Sequence, residues 1–281
     1  MKYLSPSSLK MYERNPEKFY IQYLAKDKPP RPPQLQVMAI GSAVDARIKA
    51  FLSDEFDLVE LFESQVEKQN REWAWKHSED LFEAYRASGG LSDLMQDIEH
   101  SVMTPAYEFD AVGEIEGIPL FGKPDMFWVT EGGIKVIVDY KVNGYCGASG
   151  VSPTKGYIKC RDRDGSYKRY PQSSYGYMGG LEVNMGLGLD ETAPDWAMQG
   201  ATYAWMLGCE IGDPFVVQIE QFACRPSGVR IATHRSLISR EFQEDLLDRY
   251  KNLWYNTDWY DERLEQLAAR IKEDPELWDM L

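Results

Sequence analysis

Gly122-Lys123-Pro124-Asp125-Met126-Phe127-Trp128-Val129, a glycine-containing turn over residues 130 to 133, and Ile134-Lys135-Val136-Ile137-Val138-Asp139-Tyr140-Lys141 are the stretch from which the fold is read. Val136, Ile137 and Val138 form a continuous β-branched run, which suits a strand buried on both faces. The run ends in charge. An acid and a lysine at the end of a buried strand, with another acid closing off the strand before it, cost desolvation unless something pairs them. Asp139 and Lys141 are two apart and share one face of the strand, while Tyr140 points the other way and offers its carbonyl. A hairpin brings Asp125 beside Asp139, giving two hard oxygen ligands of the kind that magnesium or manganese prefers. The bland alternative is an exposed hairpin in which Asp139 and Lys141 form a surface pair of little consequence.

The chain has 281 residues, a net charge of -14 and an ordinary apolar fraction of 43%. This length suits a single domain with insertions. Four cysteines, Cys146, Cys160, Cys209 and Cys224, show no C-x-x-C spacing and are expected as free thiols. No apolar run is long enough to span a membrane and no secretory segment opens the chain, so the protein is expected to be cytoplasmic, with no membrane partner. The acidic balance argues against a generally basic nucleic-acid binder. Its distribution is uneven, because residues 1 to 36 and 154 to 171 are each net basic.

Ser5-Pro6 and Asn15-Pro16 each place a capping side chain before proline and predict two short helices. A proline-rich stretch follows. Apolar residues Val37, Ile40, Val44 and Ile48 then mark a helix with Asp45 beside its stripe. Asp45 reads as a site acid, as an exposed helix acid, or as one paired with Arg47 or Lys49. Residues 56 to 104 predict two or three further helices broken at Gly89-Gly90, and a hairpin turning at Glu116-Gly117 leads into the Asp125 strand. Glu108 and Glu114 are further candidate carboxylates, outside the chosen set. Residues 143 to 196 are polar and rich in glycine and tyrosine. There Lys155, Lys159, Arg161 and Arg163, with Lys168 and Arg169, interleave with aromatic rings, a mixture that suits phosphates and unstacked bases. Decoration or an oligomer contact is the competing reading. Gln199 and Tyr203 then share one face of a helix.

Pro124-Asp125 followed by Asp139-Tyr140-Lys141 resembles the PD-(D/E)XK nuclease superfamily. The opening, Leu4-Ser5-Pro6-Ser7-Ser8-Leu9 through Tyr12 and Asn15-Pro16-Glu17-Lys18-Phe19 to Tyr23, resembles its RecB-like exonuclease branch, including the CRISPR-associated members. The Gln199-x-x-x-Tyr203 helix is similar to the one that follows the lysine in that branch. Where those nucleases carry a metal-binding histidine after a glycine, this chain has Asp45 after Gly41. Members with an iron-sulfur cluster carry a cysteine at the position of Asn15, so the resemblance implies no iron-sulfur cluster here.

The resemblance implies an α/β fold, a central mixed β-sheet flanked by helices, with a helical N-terminal region and a long insertion after the active-site strand. The expected organisation is one domain over residues 1–281: a helical region over 1–105, core strands with the site over 106–142, an insertion over 143–196, and the rest of the core with C-terminal helices over 197–281. The implied activity is Mg2+- or Mn2+-dependent DNA hydrolysis by an exonuclease of recombination, repair or processing. Asp45, Asp125, Asp139 and the Tyr140 carbonyl hold the metal in this reading, and Asp125, Asp139, Lys141 and Gln199 are catalytic. Lys155, Lys159, Arg161, Arg163 and Tyr203 bind nucleic acid. The partners implied are DNA, as single strands or duplex ends, and a helicase or recombination protein. The rival reading is a catalytically inactive nuclease fold that binds nucleic acid or a protein.

Overall fold

Ser5 accepts a hydrogen bond from the Ser8 N–H and Asn15 from the Lys18 N–H, so each cap starts the helix that its proline predicts: α1, Pro6–Arg14, and α2, Pro16–Phe19. The computed structural model describes residues 1–147, 151–168, 174–256 and 261–281. After the proline-rich stretch come α3, Gln36–Leu52, α4, Leu58–Gln65, α5, Arg71–Ser88, and α6, Gly90–Glu99. The break between α5 and α6 is Gly89, in the left-handed conformation at φ 81°.

The strands follow as β1, Ala106–Tyr107; β2, Ala111–Ile115; β3, Ile118–Gly122; β4, Met126–Val129; and β5, Lys135–Asn143. Glu116 and Gly117 close the β2–β3 hairpin, both at positive φ, as a two-residue turn requires. This hairpin forms its own two-stranded sheet. The polar segment read as an insertion holds β6, Lys159–Asp162; β7, Tyr167–Lys168; β8, Tyr175–Met178; β9, Leu181–Asn184; and α7, Leu189–Thr192. Arg169 and Tyr170 lie outside the described residues. The chain ends with α8, Pro194–Met206; β10, Phe215–Arg225; β11, Gly228–Ser236; α9, Arg240–Tyr255; and α10, Glu262–Glu273.

Among the described residues the central sheet has nine strands, ordered β1-β4-β5-β10-β11-β6-β7, with β9 joining the end of β11 and β8 joining β9. It is mixed. β10 runs parallel to β5 and antiparallel to β11, while β4 runs antiparallel to β5. A parallel pair needs a crossover, and α8 lies on that connection. The fold is thus α/β, with helices on both faces.

Alternation along β5 and β10 divides the core. Ile137, Val217 and Ile219 pack with Ala197, Ala201 and Trp205 of α8 and with Leu246 and Tyr250 of α9. Val136, Val138, Tyr140, Val216 and Phe222 pack on the other face against Ile40, Val44 and Ile48 of α3 and Leu81 and Tyr85 of α5. Whatever β5 presents at its odd positions therefore faces α8.

Gly200 sets how closely α8 lies on β10. A Cβ at that position would sit 2.4 Å from Val217 Cγ2, a branched side chain with no room to retreat. Gly200→Ala is expected to cost about 1–3 kcal/mol, as overpacking does, read as a lower urea midpoint at unchanged slope. An unchanged midpoint would show that α8 can lift without loss.

Candidate active site

The site lies where β4 stops and β5 continues. Met126 pairs with Val138, so Asp125 stands just beyond the end of β4, level with the charged end of β5. Tyr140, past the reach of β4, gives its N–H to Asp125 Oδ2 at 2.9 Å. A strand residue's carbonyl leaves on the same edge as its N–H. The Tyr140 carbonyl therefore emerges beside Asp125, while its ring is buried in the α3 face.

Asp139 and Lys141, on the odd face, meet Gln199 of α8. Gln199 Nε2 donates to Asp139 Oδ1 at 2.9 Å, and Lys141 Nζ donates to Gln199 Oε1 at 2.9 Å. Lys141 Nζ is also 2.5 Å from Asp139 Oδ2. One amide thus fixes both ends of the acid–lysine pair. Tyr203 stands one turn behind, its hydroxyl accepting from Gln199 Nε2 at 3.1 Å. It is buried, and burial pushes its hydroxyl well above the ordinary tyrosine value. Burial works against the Lys141 ammonium, but Asp139 and Asp125 outweigh it and hold its pKa above the usual lysine value.

Asp45 enters from α3 and is buried. Its Oδ2 lies 2.5 Å from the Nζ of Lys49, one turn along the helix, and accepts from Gln65 Nε2 at 3.3 Å. Lys49 is 1% exposed and reaches a second acid, Glu108 Oε2, at 3.2 Å. Glu108 also accepts from Gln65. Its backbone is held at φ 41°, a conformation non-glycine residues rarely adopt, with its N–H on the Asp125 carbonyl at 3.2 Å. Burial lifts the Asp45 carboxyl to about 6. Burial alone would lower the Lys49 ammonium, yet Asp45, Asp125 and Glu108 together hold it above the lysine value.

All of these groups except Tyr203, which stands behind Gln199, line a cleft of about 1040 Å³, with Arg31, Arg71 and Lys123 on its walls. The structure thus brings together Asp45, Asp125, Asp139, Tyr140, Lys141 and Gln199. Glu108, Gln65 and Lys49 join them, although sequence reasoning left Glu108 outside the site and overlooked Gln65. Lys49 had appeared only as one possible partner of Asp45, and its i+4 spacing on α3 was the available signal. Lys155, Lys159, Arg161 and Arg163 do not line this cleft. Lys159 and Arg161 sit on β6 and reach Asp93 of α6 at 3.2 and 2.8 Å, while Lys155 and Arg163 are exposed.

The sequence profile of the PD-(D/E)XK nuclease superfamily matches residues 3–147, just over half of the chain. The chain belongs to that superfamily. Among curated proteins no sequence matches it. Among solved structures, the crystal structure of SSO0001 aligns over 88% of this chain and 82% of its own at 9% identity, with a TM-score of 0.28, a likeness that carries no argument.

Members of the PD-(D/E)XK nuclease superfamily typically use a divalent cation such as Mg2+. The donors here fit one. They are hard oxygens, and Asp139 Oδ2 is buried with the Lys141 ammonium against it. Among the described residues no three acid, histidine or cysteine side chains converge as a ready-made ligand set. A cation there would draw on two carboxylates and a backbone carbonyl.

Burial first, then the neighbouring Asp139 and Asp45, raise the Asp125 carboxyl well above the usual carboxylate range. A carboxyl whose folded pKa is raised contributes stability below its unfolded value and loses it as pH rises through the folded one. In chelator, the melting temperature is therefore expected to fall as pH climbs above the carboxylate range. Asp125→Asn should make that fall shallower and melt at least about 2 °C higher at the alkaline end. Parallel pH profiles for the two proteins would mean that Asp125 carries no such strain.

Proposed function

We propose that the chain is a metal-dependent DNA nuclease of the RecB-like branch, an exonuclease that hydrolyses phosphodiester bonds in recombination, repair or processing. The observation that carries this reading is the joining of Asp139, Lys141 and Gln199 by two 2.9 Å hydrogen bonds at the edge of a cleft that also holds Asp125.

Asp125, Asp139 and the Tyr140 carbonyl would hold a Mg2+ or Mn2+ ion, which when bound supplies positive charge for the phosphate and a more acidic water. Lys141, kept charged by its two acids, donates rather than accepts, so it orients the attacking water or the scissile phosphate. Gln199 fixes the direction of that ammonium. Arg31, Arg71 and Lys123 give the cleft cationic walls for the phosphates on either side. The basic residues on and around β6, Lys155, Lys159, Arg161 and Arg163, would meet a longer strand outside the cleft. A helicase or recombination protein would supply opened ends.

The test incubates the protein with end-labelled single-stranded and duplex DNA and a closed circle, in Mg2+, Mn2+ or chelator. Cleavage is expected only with metal, with the circle spared. Lys141→Ala should keep the circular-dichroism spectrum and lose at least about 10²-fold in rate, the contribution of one positioned charged donor. Full activity in Lys141→Ala would remove it from the mechanism.

A further inference from the structure

Among the described residues the Lys49 side chain is the largest charged group with under 2% of its surface exposed, and it lies on the cleft rather than in the core proper. An enclosed ammonium is strongly disfavoured unless acids surround it. Here Asp45 touches it at 2.5 Å, Glu108 at 3.2 Å, and the charge of Asp125 also acts on it. Gln65 ties the two contacting carboxylates together from the other side. Such a group is held as metal ions are held, by carboxylates from separate elements: Asp45 on α3 and Glu108 at its strained backbone.

The charges at the floor of the cleft, inside the walls that carry Arg31, Arg71 and Lys123, point the same way. Asp45, Glu108, Asp125 and Asp139 bring four carboxylates, and Lys49 and Lys141 bring two ammonium groups. With these four acids ionised, as a bound cation requires of its ligands, the remainder is two negative charges, which one divalent ion neutralises. A second ion would overcharge the site unless Lys49 left it, and Lys49 has no exposed route, with 1% of its side chain accessible.

We propose that the Lys49 ammonium is a built-in cation that fills the Asp45–Glu108 side of the site, so that the chain binds a single divalent ion, at Asp125 and Asp139, and Asp45 is not among its ligands. This rests on the reading of Asp125 and Asp139 as cation ligands. Asp45 then serves as a positioning residue, with Oδ2 neutralised by Lys49. Its Oδ1 is buried without a protein hydrogen bond. Glu108 and Gln65 keep the ammonium from turning toward the substrate.

Mn2+ titrated into the full chain at pH 7.5, followed by calorimetry and electron paramagnetic resonance, tests this without reference to activity. The expected result is one Mn2+ per chain with the six-line spectrum of an uncoupled ion. Asp45→Asn should hold its Mn2+ with a dissociation constant within about threefold of the parent's. The neutral pair Asp45→Asn with Lys49→Met should do the same, and Lys49→Met alone should accept a second Mn2+. Two ions with a spin-coupled spectrum in the parent, or a tenfold weaker Asp45→Asn, would overturn the proposal. Asp139→Asn separates it from the reading on which it rests. If the parent binds Mn2+ and Asp139→Asn does not, the cation site stands whatever Asp45 does. If the parent binds none, both readings fall together.

Discussion

The early end of β4 is the constraint on which the rest of the structure depends. Because Met126 pairs with Val138 and the ladder goes no further, the Tyr140 N–H finds a carboxylate instead of a carbonyl. That one exchange turns the edge of a sheet into a site. It leaves Asp125, Asp139 and Lys141 at the end of an otherwise apolar strand, where each charge must be met by another or by an ion. α8 is held against β10 by the missing side chain at Gly200, and from there Gln199 answers the odd face of β5. α3 answers the opposite face with Lys49 and Asp45.

How much of this the sequence makes legible follows from the range of the interactions. Period-two alternation along residues 135 to 143 places Asp139 with Lys141 and turns Tyr140 away, and helical spacing pairs Gln199 with Tyr203. Both are local relations, set by the period of the element. The proline-flanked caps Ser5 and Asn15 and the Glu116-Gly117 turn belong to the same class. Glu108 and Gln65 are different. They sit 43 positions apart and meet only because α4 folds over the β1 loop, which no periodicity announces. The segment after residue 143 looked irregular because β6 to β9 are short, polar and joined to an edge, so they lack the apolar alternation that marks a half-buried strand.

Charge in a sequence does not say what it faces. Lys159 and Arg161 stand in a basic, aromatic stretch, yet both reach Asp93 and fasten β6 to α6. An Asp97–Arg235 pair fastens β11 to the same helix. Of the positive groups on the walls of the cleft, Arg31 comes from the net-basic stretch 1 to 36, whereas Arg71 and Lys123 come from stretches with no basic cluster. The chain's net charge of -14 is likewise no guide to the local field, since the acids that dominate it lie mostly on solvated helix faces, where screening limits their reach.

A site built from buried like charges is unstable by itself, and the two lysines share the task of making it tolerable in different ways. Lys141 is partly exposed, 23% of its side chain being accessible, and its hydrogen bond to Gln199 directs it along the cleft. Lys49 is enclosed and pointed at acids from two other elements. A mobile charge can follow a reacting phosphate, whereas an enclosed one can only set the background in which the reaction occurs. The same residue type thus divides by burial into a group suited to meet the substrate and a group suited to hold the acids in place. That division is fixed by whether the lysine extends from the end of a strand at the rim or from the inner face of a packed helix.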